Sequence, residues 1–334
     1  MKQPAASSSR AITNVLTAIL LAAILLLACP VTGNAQPAPA PPACQATHKV
    51  GPADTLAGVA RFYFGAASYG RAILLATNFR AGTSRFQYIG TPDQLPAGAL
   101  LCIPALPEAD LRRHRYEDYE QGVRETVLPK PNQVSGSLVK VPAGPVHVST
   151  WIRAGELSRY KPGGTWITTA QKDIWVTVIP EIKNFCQAYV KDHNADSEQL
   201  TLRLEQHLGL PPGAGKTTFL EIIVQDPSST ANLFRPCQNP SATTAACAAG
   251  PPSSTNVQYA GWFYQQYYGS FAQAQPDQYP WTSLGYTFDW ASREDGTTNA
   301  SGSFVRYGAS EFVIPKGAPI EIVGQADTGP YCQP

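Results

Sequence analysis

Hydrophobic positions between residues 48 and 104 change from the spacing of a strand to that of a helix and back again. One helix is predicted by apolar residues three and four positions apart, namely Leu56, Val59, Ala60 and Tyr63. A second helix is predicted in the same way by Tyr69, Ala72, Ile73 and Ala76. Short strands at residues 49–50 and 100–103 flank this pair. The segment is therefore predicted to run strand–helix–helix–strand, with Asp54 or Thr55 capping the first helix and Ser68 the second.

Beyond about residue 137 the pattern predicts strands and helices together. Helical spacing occurs in residues 181–192 and 200–208, and Gly209 followed by Pro211-Pro212 ends the second of these. Strands are predicted at residues 138–141, 146–152, 174–179, 219–224, 285–290, 304–307, 311–314 and 320–323. Because strands lie at both ends with helices between them, we expect an α+β fold.

The first 35 residues have the pattern of a cleavable export signal. Lys2 and Arg10 precede an apolar run, and Gly33-Asn34-Ala35 places small residues before a cut at Gln36. Two alternatives remain open at this point. The run is near the length of a short membrane span, and the residues before Cys29 resemble a lipobox, so membrane attachment is expected only if Cys29 is lipidated.

Composition changes along the chain suggest five segments. Residues 1–35 are the signal peptide, and residues 36–43 are a Pro/Ala-rich spacer. Residues 44–105 form the strand–helix–helix–strand unit. Residues 106–136 are dense in charge and read as a solvated helical linker, broken by Pro129 and Pro131. Residues 137–334 form a second, α+β domain whose function the sequence does not indicate.

Charge and cysteine usage narrow the class of protein. Without Lys2 and Arg10 the net charge is about −1, which gives no basic surface for nucleic acid. Apart from Cys29 there are six cysteines, an even number that in an exported chain indicates disulfides. Fifteen pairings are possible. We favour Cys44–Cys102, Cys186–Cys332 and Cys237–Cys247.

The first unit resembles a LysM domain, the small module that binds N-acetylglucosamine polymers such as peptidoglycan and chitin. The resemblance is carried by Ile73, Ala76 and Asn78, by the closing stretch of residues 95–104, and by the run His48-Lys49-Val50-Gly51-Pro52-Ala53-Asp54-Thr55-Leu56. It implies a shallow sugar groove between two loops. One side of that groove would be Gly51, Pro52, Ala53, Asp54, Thr55 and Leu56, and the other Ala76, Thr77 and Asn78.

This unit departs from the family pattern at two places. Ala53 stands where the family usually has glycine, which matters if the backbone there needs a positive φ. Residues 79–88 also make the second loop longer than usual. Either departure allows the alternative that the module binds a protein partner and has no affinity for sugar.

Other patterns are less specific. Pro212 to Thr217 resembles a phosphate-binding loop but has Leu210 where that motif needs glycine, so we expect a turn and no nucleotide. The histidines lack metal-ligand spacing, and we expect no metal and no cofactor. Candidate acid–base carboxylates lie near strand ends, at Glu181, Glu221, Asp226, Asp289 and Glu311. Aromatic residues from Trp262 to Trp290 either fill the core or stack on sugars.

These observations predict an exported protein of the cell envelope, periplasm or extracellular space. Its expected ligand is peptidoglycan or a chitin-like glycan, held without catalysis through the LysM-like module. A peptidoglycan-modifying hydrolase that uses carboxylates of the second domain is the first alternative. A module for an envelope protein partner is the second.

Overall fold

The computed structural model of the chain describes residues 43–81, 85–90, 92–159, 164–166, 172–241, 245–252, 255–271, 278–291, 297–298, 304–305 and 307–334. The predicted signal peptide, Cys29 and the spacer up to residue 42 lie outside these residues. The helices of the described part are α1 (Leu56–Phe64), α2 (Gly70–Phe79), α3 (Leu106–Thr126), α4 (Glu181–His193), α5 (Ser197–His207), α6 (Val257–Phe271) and α7 (Thr328–Tyr331).

The strands of the same residues include several that the sequence pattern predicts closely. They are β1 (Ala46–Lys49), β2 (Leu100–Ile103), β3 (Val146–Ile152), β4 (Gly164–Trp166), β5 (Ile174–Val178), β6 (Thr218–Val224), β7 (Tyr286–Phe288), β8 (Thr297–Thr298), β9 (Phe304–Val305), β10 (Tyr307–Ser310), β11 (Phe312–Ile314) and β12 (Ile320–Asp327).

The first unit has the predicted order β1–α1–α2–β2. The two strands pair antiparallel, with Ala46 opposite Ile103. Thr55 caps α1, because its hydroxyl accepts a hydrogen bond from the Gly58 N–H. The cap expected at Ser68 is wrong. A 3₁₀ turn precedes α2, and the capping position is occupied by Tyr69, whose side chain makes no capping hydrogen bond.

The core of this unit lies between the helices and the two-stranded ladder. Ala60, Ile73 and Leu101 have no exposed surface. The helices approach closely where they meet, since a Cβ added at Gly70 would lie 3.3 Å from the Leu56 Cβ. The apolar spacing of the sequence therefore marks the buried faces correctly.

A six-stranded antiparallel sheet, in the order β11-β5-β3-β6-β12-β4, forms the centre of the second region. One face is an aliphatic cluster that includes Val148 and Ile222. On the other face, Trp151 and Phe219 pack with helices α4 and α5 and with Tyr331 of α7. The expected mixed α+β class is confirmed.

The strand predicted at residues 138–141 is wrong. Leu138 and Val141 are buried as expected, but no neighbouring strand supplies partners for this backbone. The Leu138 N–H bonds to the Ala245 carbonyl, and the Val139 N–H bonds to the Ser310 hydroxyl. A buried apolar run thus forms irregular structure because isolated acceptors satisfy its N–H groups.

The charged helix α3 is solvated on one side only. Tyr119 contacts Trp290 edge-on at 5.6 Å between ring centroids. At Gly122 an added Cβ would lie 2.9 Å from the Phe288 ring, so the helix packs directly on this aromatic pair. The predicted helix is confirmed, but the prediction that it is solvated is wrong for this face. Ala109, Tyr116, Tyr119 and Val123 share the buried face of α3, whereas Leu106 and Leu111 are exposed, so the apolar residues alone do not mark that face.

The described residues belong to one compact unit, Ala40–Pro334. Contacts cross the boundaries at 105 and 136. The Tyr69 hydroxyl donates a hydrogen bond to Asp110 of α3 at 2.7 Å, and Arg112 of α3 lies 2.6 Å from a carboxylate oxygen of Glu198 at the start of α5. The division into domains at those boundaries stays a prediction.

All three favoured disulfides are confirmed: Cys44–Cys102, Cys186–Cys332 and Cys237–Cys247. They indicate that the chain folds in an oxidising, non-cytoplasmic environment. Among the described helices, none combines the length and the apolar character needed to cross a bilayer.

Candidate functional site

The loop between β1 and α1 is organised by the carboxylate of Asp54. Its Oδ2 atom accepts a hydrogen bond from the Gly51 N–H at 2.7 Å and lies 2.8 Å from the His48 Nε2. The Gly51 hydrogen bond, reinforced by His48, holds the pKa of Asp54 below its usual value. Asp54 therefore stays ionised and fixes the turn.

Ala53 fits this turn without backbone strain. Among the described non-glycine residues, a positive φ occurs at Asn194 and Ser283 only. The position that the family usually fills with glycine is thus compatible with alanine in this chain. Pro52, Ala53 and Thr55 are exposed at the surface of the loop.

The residues predicted for the other side of the groove are buried. Ala76 and Thr77 have no exposed surface, and Asn78 is 6% exposed. The Asn78 amide bonds the Ile89 backbone twice, at 2.9 and 2.8 Å. The Thr77 hydroxyl accepts a hydrogen bond from the Cys102 N–H. These side chains hold the second loop in place, so the surface offered to a ligand is that of residues 51–55. The buried Leu56 lies beneath it.

The long second loop ends against the second region of the chain. Tyr88 lies beneath the Arg153 guanidinium, 4.9 Å from the ring centroid, and accepts a hydrogen bond from it. A Cβ added at Gly215 would come within 2.6 Å of the same ring. Residues 82–84 of this loop lie outside the described residues. The end of the loop thus forms part of the contact between the two regions.

The segment that resembles a phosphate-binding loop forms the expected turn at Pro212 and Gly213. An internal carboxyl group fills it: the Glu205 side chain accepts hydrogen bonds from the Gly213 and Ala214 N–H groups at 3.0 and 2.8 Å. Both N–H groups that a phosphate would use are therefore engaged.

Replacing Glu205 with glutamine is expected to change how stability depends on pH. Burial raises the pKa of Glu205 to about 8. Because the folded pKa is above the unfolded one, ionisation of this group makes the wild type progressively less stable from about pH 4.5 to 8. One pKa unit corresponds to about 1.4 kcal/mol. Glutamine does not ionise, so the variant lacks this loss. The free energy of unfolding of the wild type minus that of the variant, measured by urea denaturation, should therefore fall as the pH rises. A difference that is independent of pH would contradict the assignment.

A cavity of about 710 Å³ lies beside the central sheet of the second region. Strand β5, helix α6 and the segment before β7 contribute three indoles to its wall, those of Trp175, Trp262 and Trp281. The ring centroids of these indoles lie 6.1 to 6.3 Å apart. Polar residues among the others that line it include Glu156, Lys172, Asp173, Gln265, Gln266, Lys216 and Glu311.

Glu311 is the carboxyl group of this wall with the most unusual environment. Glu311 is the residue that links β10 to β11 in the chain, and 9% of its surface is exposed. Among the described residues, neither Glu311 Oε2 nor Trp281 Nε1 makes a hydrogen bond of regular geometry, although the two side chains are close enough to interact. Burial raises the pKa of Glu311 to about 8, although the interaction with Trp281 and the Arg235 charge oppose the rise. The group is therefore a neutral carboxylic acid near pH 7.

The other charged groups of the wall are of both signs. Lys172 lies 3.9 Å from Glu156. The Asp173 carboxylate accepts hydrogen bonds from Trp262 Nε1 at 2.6 Å and from the Lys316 N–H at 2.8 Å. Burial lowers the pKa of Lys216 to about 8, so this group is still mainly protonated near pH 7. The cavity thus combines aromatic surface with both charged and neutral polar groups.

The other carboxylates proposed for acid–base chemistry have separate structural roles. Glu181 accepts hydrogen bonds from the Ser310 N–H and hydroxyl, and burial raises its pKa. Glu221 pairs with Lys183 at 3.5 Å. Asp226 accepts from Ser228, and Asp289 pairs with Arg203. Of the five candidates, Glu311 alone lines the cavity.

The aromatic run is divided between the core and the cavity wall, and stacking on sugars stays a prediction. Trp290, with no exposed surface, fills the core, while Trp262 and Trp281 line the cavity. Sequence reasoning missed Trp175, Asp173 and Lys216 as wall residues. Trp175 stood inside a predicted strand, and no local pattern indicated which face of that strand borders a cavity.

Comparisons with protein families, with characterised proteins and with solved structures gave no match for this chain. Within the described residues, no group of three or more histidine, cysteine, aspartate or glutamate side chains has the arrangement of a metal site. The loop at residues 51–55 and the cavity are therefore the two candidate sites of the described residues.

Proposed function

We propose that this protein is exported and binds peptidoglycan or a related N-acetylglucosamine polymer, without catalysis, through the LysM-like unit at residues 44–105. The observation that carries the proposal is the preformed loop Gly51–Thr55. This loop joins β1 to α1 within the strand–helix–helix–strand unit and exposes Pro52, Ala53 and Thr55. No cofactor or nucleotide takes part in this function.

Three features support this function. The Asp54 carboxylate fixes the loop before any ligand arrives, which lowers the entropic cost of binding. Ala53 adopts its conformation without a positive φ, so the departure from the family pattern leaves the loop shape available. Three disulfides suit a protein that works outside the cytoplasm, and the apolar segment within residues 1–35 suits export to the periplasm, envelope or extracellular space.

Sedimentation with purified peptidoglycan and with chitin tests the proposal. Ala53→Arg places a long charged side chain on the exposed loop, and we expect it to reduce the bound fraction at least tenfold. The matched control is Ala143→Arg, because Ala143 is exposed in a turn of the other region. The control is expected to bind as the wild type does. Circular dichroism would check that both variants are folded.

The same experiment separates the alternatives. Equal sedimentation of the two arginine variants would contradict sugar binding by this loop. Failure of the wild type to sediment would do so as well and would favour an envelope protein partner. Release of soluble glycan fragments into the supernatant would favour the hydrolase, with Glu311 as the first carboxylate to replace.

A further inference from the structure

Beyond the loop, the cavity of the second region has the properties of a ligand site. Its volume of about 710 Å³ lies within the roughly 300–1,000 Å³ that small-molecule sites occupy. We propose that this cavity binds an uncharged saccharide, with the indoles of Trp175, Trp262 and Trp281 as stacking surfaces and Glu311 as a hydrogen-bonding group. This site is distinct from the loop at residues 51–55 and gives the protein a second point of contact with a glycan.

The aromatic wall is the first support. Three indoles lie edge-on or tilted to one another with centroids 6.1 to 6.3 Å apart, so they form a contiguous surface. Trp175 and Trp262 are only half-buried, which leaves ring surface in contact with the cavity. A sugar ring presents C–H groups on its faces, and indoles offer both apolar area and a negative π face to such groups.

The polar groups of the wall are the second support. The side chains of Gln265 and Gln266 on α6 make no hydrogen bond to other described residues, and both offer donors and acceptors. Glu311, whose pKa burial raises to about 8, is protonated near neutral pH and adds an O–H donor. Neutral donors and acceptors next to aromatic surface suit hydroxyl groups better than they suit ions.

The charged groups of the wall are of both signs. Asp173 is held by Trp262 and the Lys316 backbone, and Lys172 lies near Glu156. Burial lowers the pKa of Lys216 to about 8, so its ammonium is still mainly protonated near pH 7, and the exposed Lys316 also lines the cavity. An ionic ligand would therefore meet side chains of both signs, whereas a neutral saccharide needs only the aromatic surface and the uncharged donors and acceptors.

Two glycines on α6 allow a matched test. Gly269 lines the cavity, and a Cβ added there has nothing within 4 Å. Gly261 is eight residues earlier on the same helix, is equally open, and is not a wall residue. Gly269→Leu places an apolar side chain at the cavity, whereas Gly261→Leu makes the same chemical change outside it. Both changes favour the helix, so neither variant should melt at a lower temperature than its parent.

The test is a titration with N-acetylglucosamine dimer and tetramer, followed by tryptophan fluorescence and calorimetry. It uses the full chain carrying Ala53→Arg, so that the loop does not contribute. We expect the parent and Gly261→Leu to bind with affinities within twofold of each other, and Gly269→Leu to lose at least tenfold. Since four of the six tryptophans line the cavity, binding should also shift the emission.

A second pair of variants tests the role of Glu311. Glu311→Gln keeps a neutral hydrogen-bonding group of the same shape and should bind within about threefold of the parent. Glu311→Met keeps the volume but removes the polar group, and it should bind at least tenfold more weakly.

Equal affinities for the two leucine variants would overturn the proposal. The proposal would also be overturned if the Ala53→Arg protein bound neither saccharide. In that case, sedimentation of the wild type with the polymer would still support glycan binding by the loop at residues 51–55. Conversely, if Ala53→Arg leaves sedimentation with the polymer unchanged, glycan binding by the loop is contradicted but a saccharide site in the cavity is not.

Discussion

Replacing Asp289 with asparagine is expected to lower the free energy of unfolding by about 3–5 kcal/mol at pH 7. The Asp289 carboxylate binds Arg203 through both oxygens, at 3.0 and 2.7 Å, and lies 3.2 Å from His207 Nδ1. All three side chains are at most 11% exposed. Removing the negative charge leaves the Arg203 guanidinium buried without its partner. Chemical denaturation in urea would measure the loss.

This ion pair also predicts the response to acid. Burial alone would raise the pKa of Asp289, but hydrogen bonds from His207 and Arg203 lower it to about 2. Its contribution to stability is therefore complete above the unfolded pKa near 3.8 and is lost between about pH 4 and 2. The asparagine variant should lack this part of the acid transition.

Two further variants distinguish this explanation from a general effect of losing a carboxylate. Asp226→Asn changes an exposed residue and should alter the free energy of unfolding by no more than about 0.5 kcal/mol. Arg203→Met combined with Asp289→Asn should be more stable than Asp289→Asn alone, since no buried charge then remains unpaired. A double variant that is the least stable of all would contradict the argument.

Removing the Cys186–Cys332 disulfide by replacing both cysteines with alanine is expected to lower the free energy of unfolding by about 5 kcal/mol. The bridge joins residues 146 positions apart, so it removes a large loop entropy from the unfolded chain. Cys186 lies on the inner face of α4, and both cysteines belong to the buried cluster there, with no exposed surface. Urea denaturation under oxidising conditions would measure the change.

The matched control is the Cys237–Cys247 disulfide, which closes a loop of 10 positions. Its removal should lower the free energy of unfolding by about 3 kcal/mol. Both pairs are buried, so the comparison depends mainly on loop length. A larger loss for the shorter loop would contradict the loop-entropy explanation for this chain.

Much of the local structure could be predicted because the relevant signals are local. Ile182, Phe185 and Tyr189 mark the inner face of α4 by their spacing alone, and the structure places all three against the same cluster. The disulfides were harder, because fifteen pairings were open. In the favoured set, one bridge closes the first unit on itself, one staples a loop and one ties the C-terminus to the core.

What the sequence did not reveal depends on contacts between distant segments. The run Leu138–Val141 has the composition of a strand, but whether it joins a sheet is decided by Ala245 and Ser310, which are more than 100 residues away. The cavity is a similar case. Glu311 was a candidate among five carboxylates, and only the packing of β5 and α6 around it distinguishes it from the others.

The position of the Cys44–Cys102 bridge has a mechanical consequence. It joins the residue just before β1 to a residue of β2, across 58 positions of the chain. A pulling force applied at residue 43 passes through the sulfur–sulfur bond directly to residue 102 and on into α3. The intervening chain, about 190 Å if fully extended, is never placed under tension. The loop at residues 51–55 would therefore keep its shape on a protein that is being stretched from its amino-terminal side.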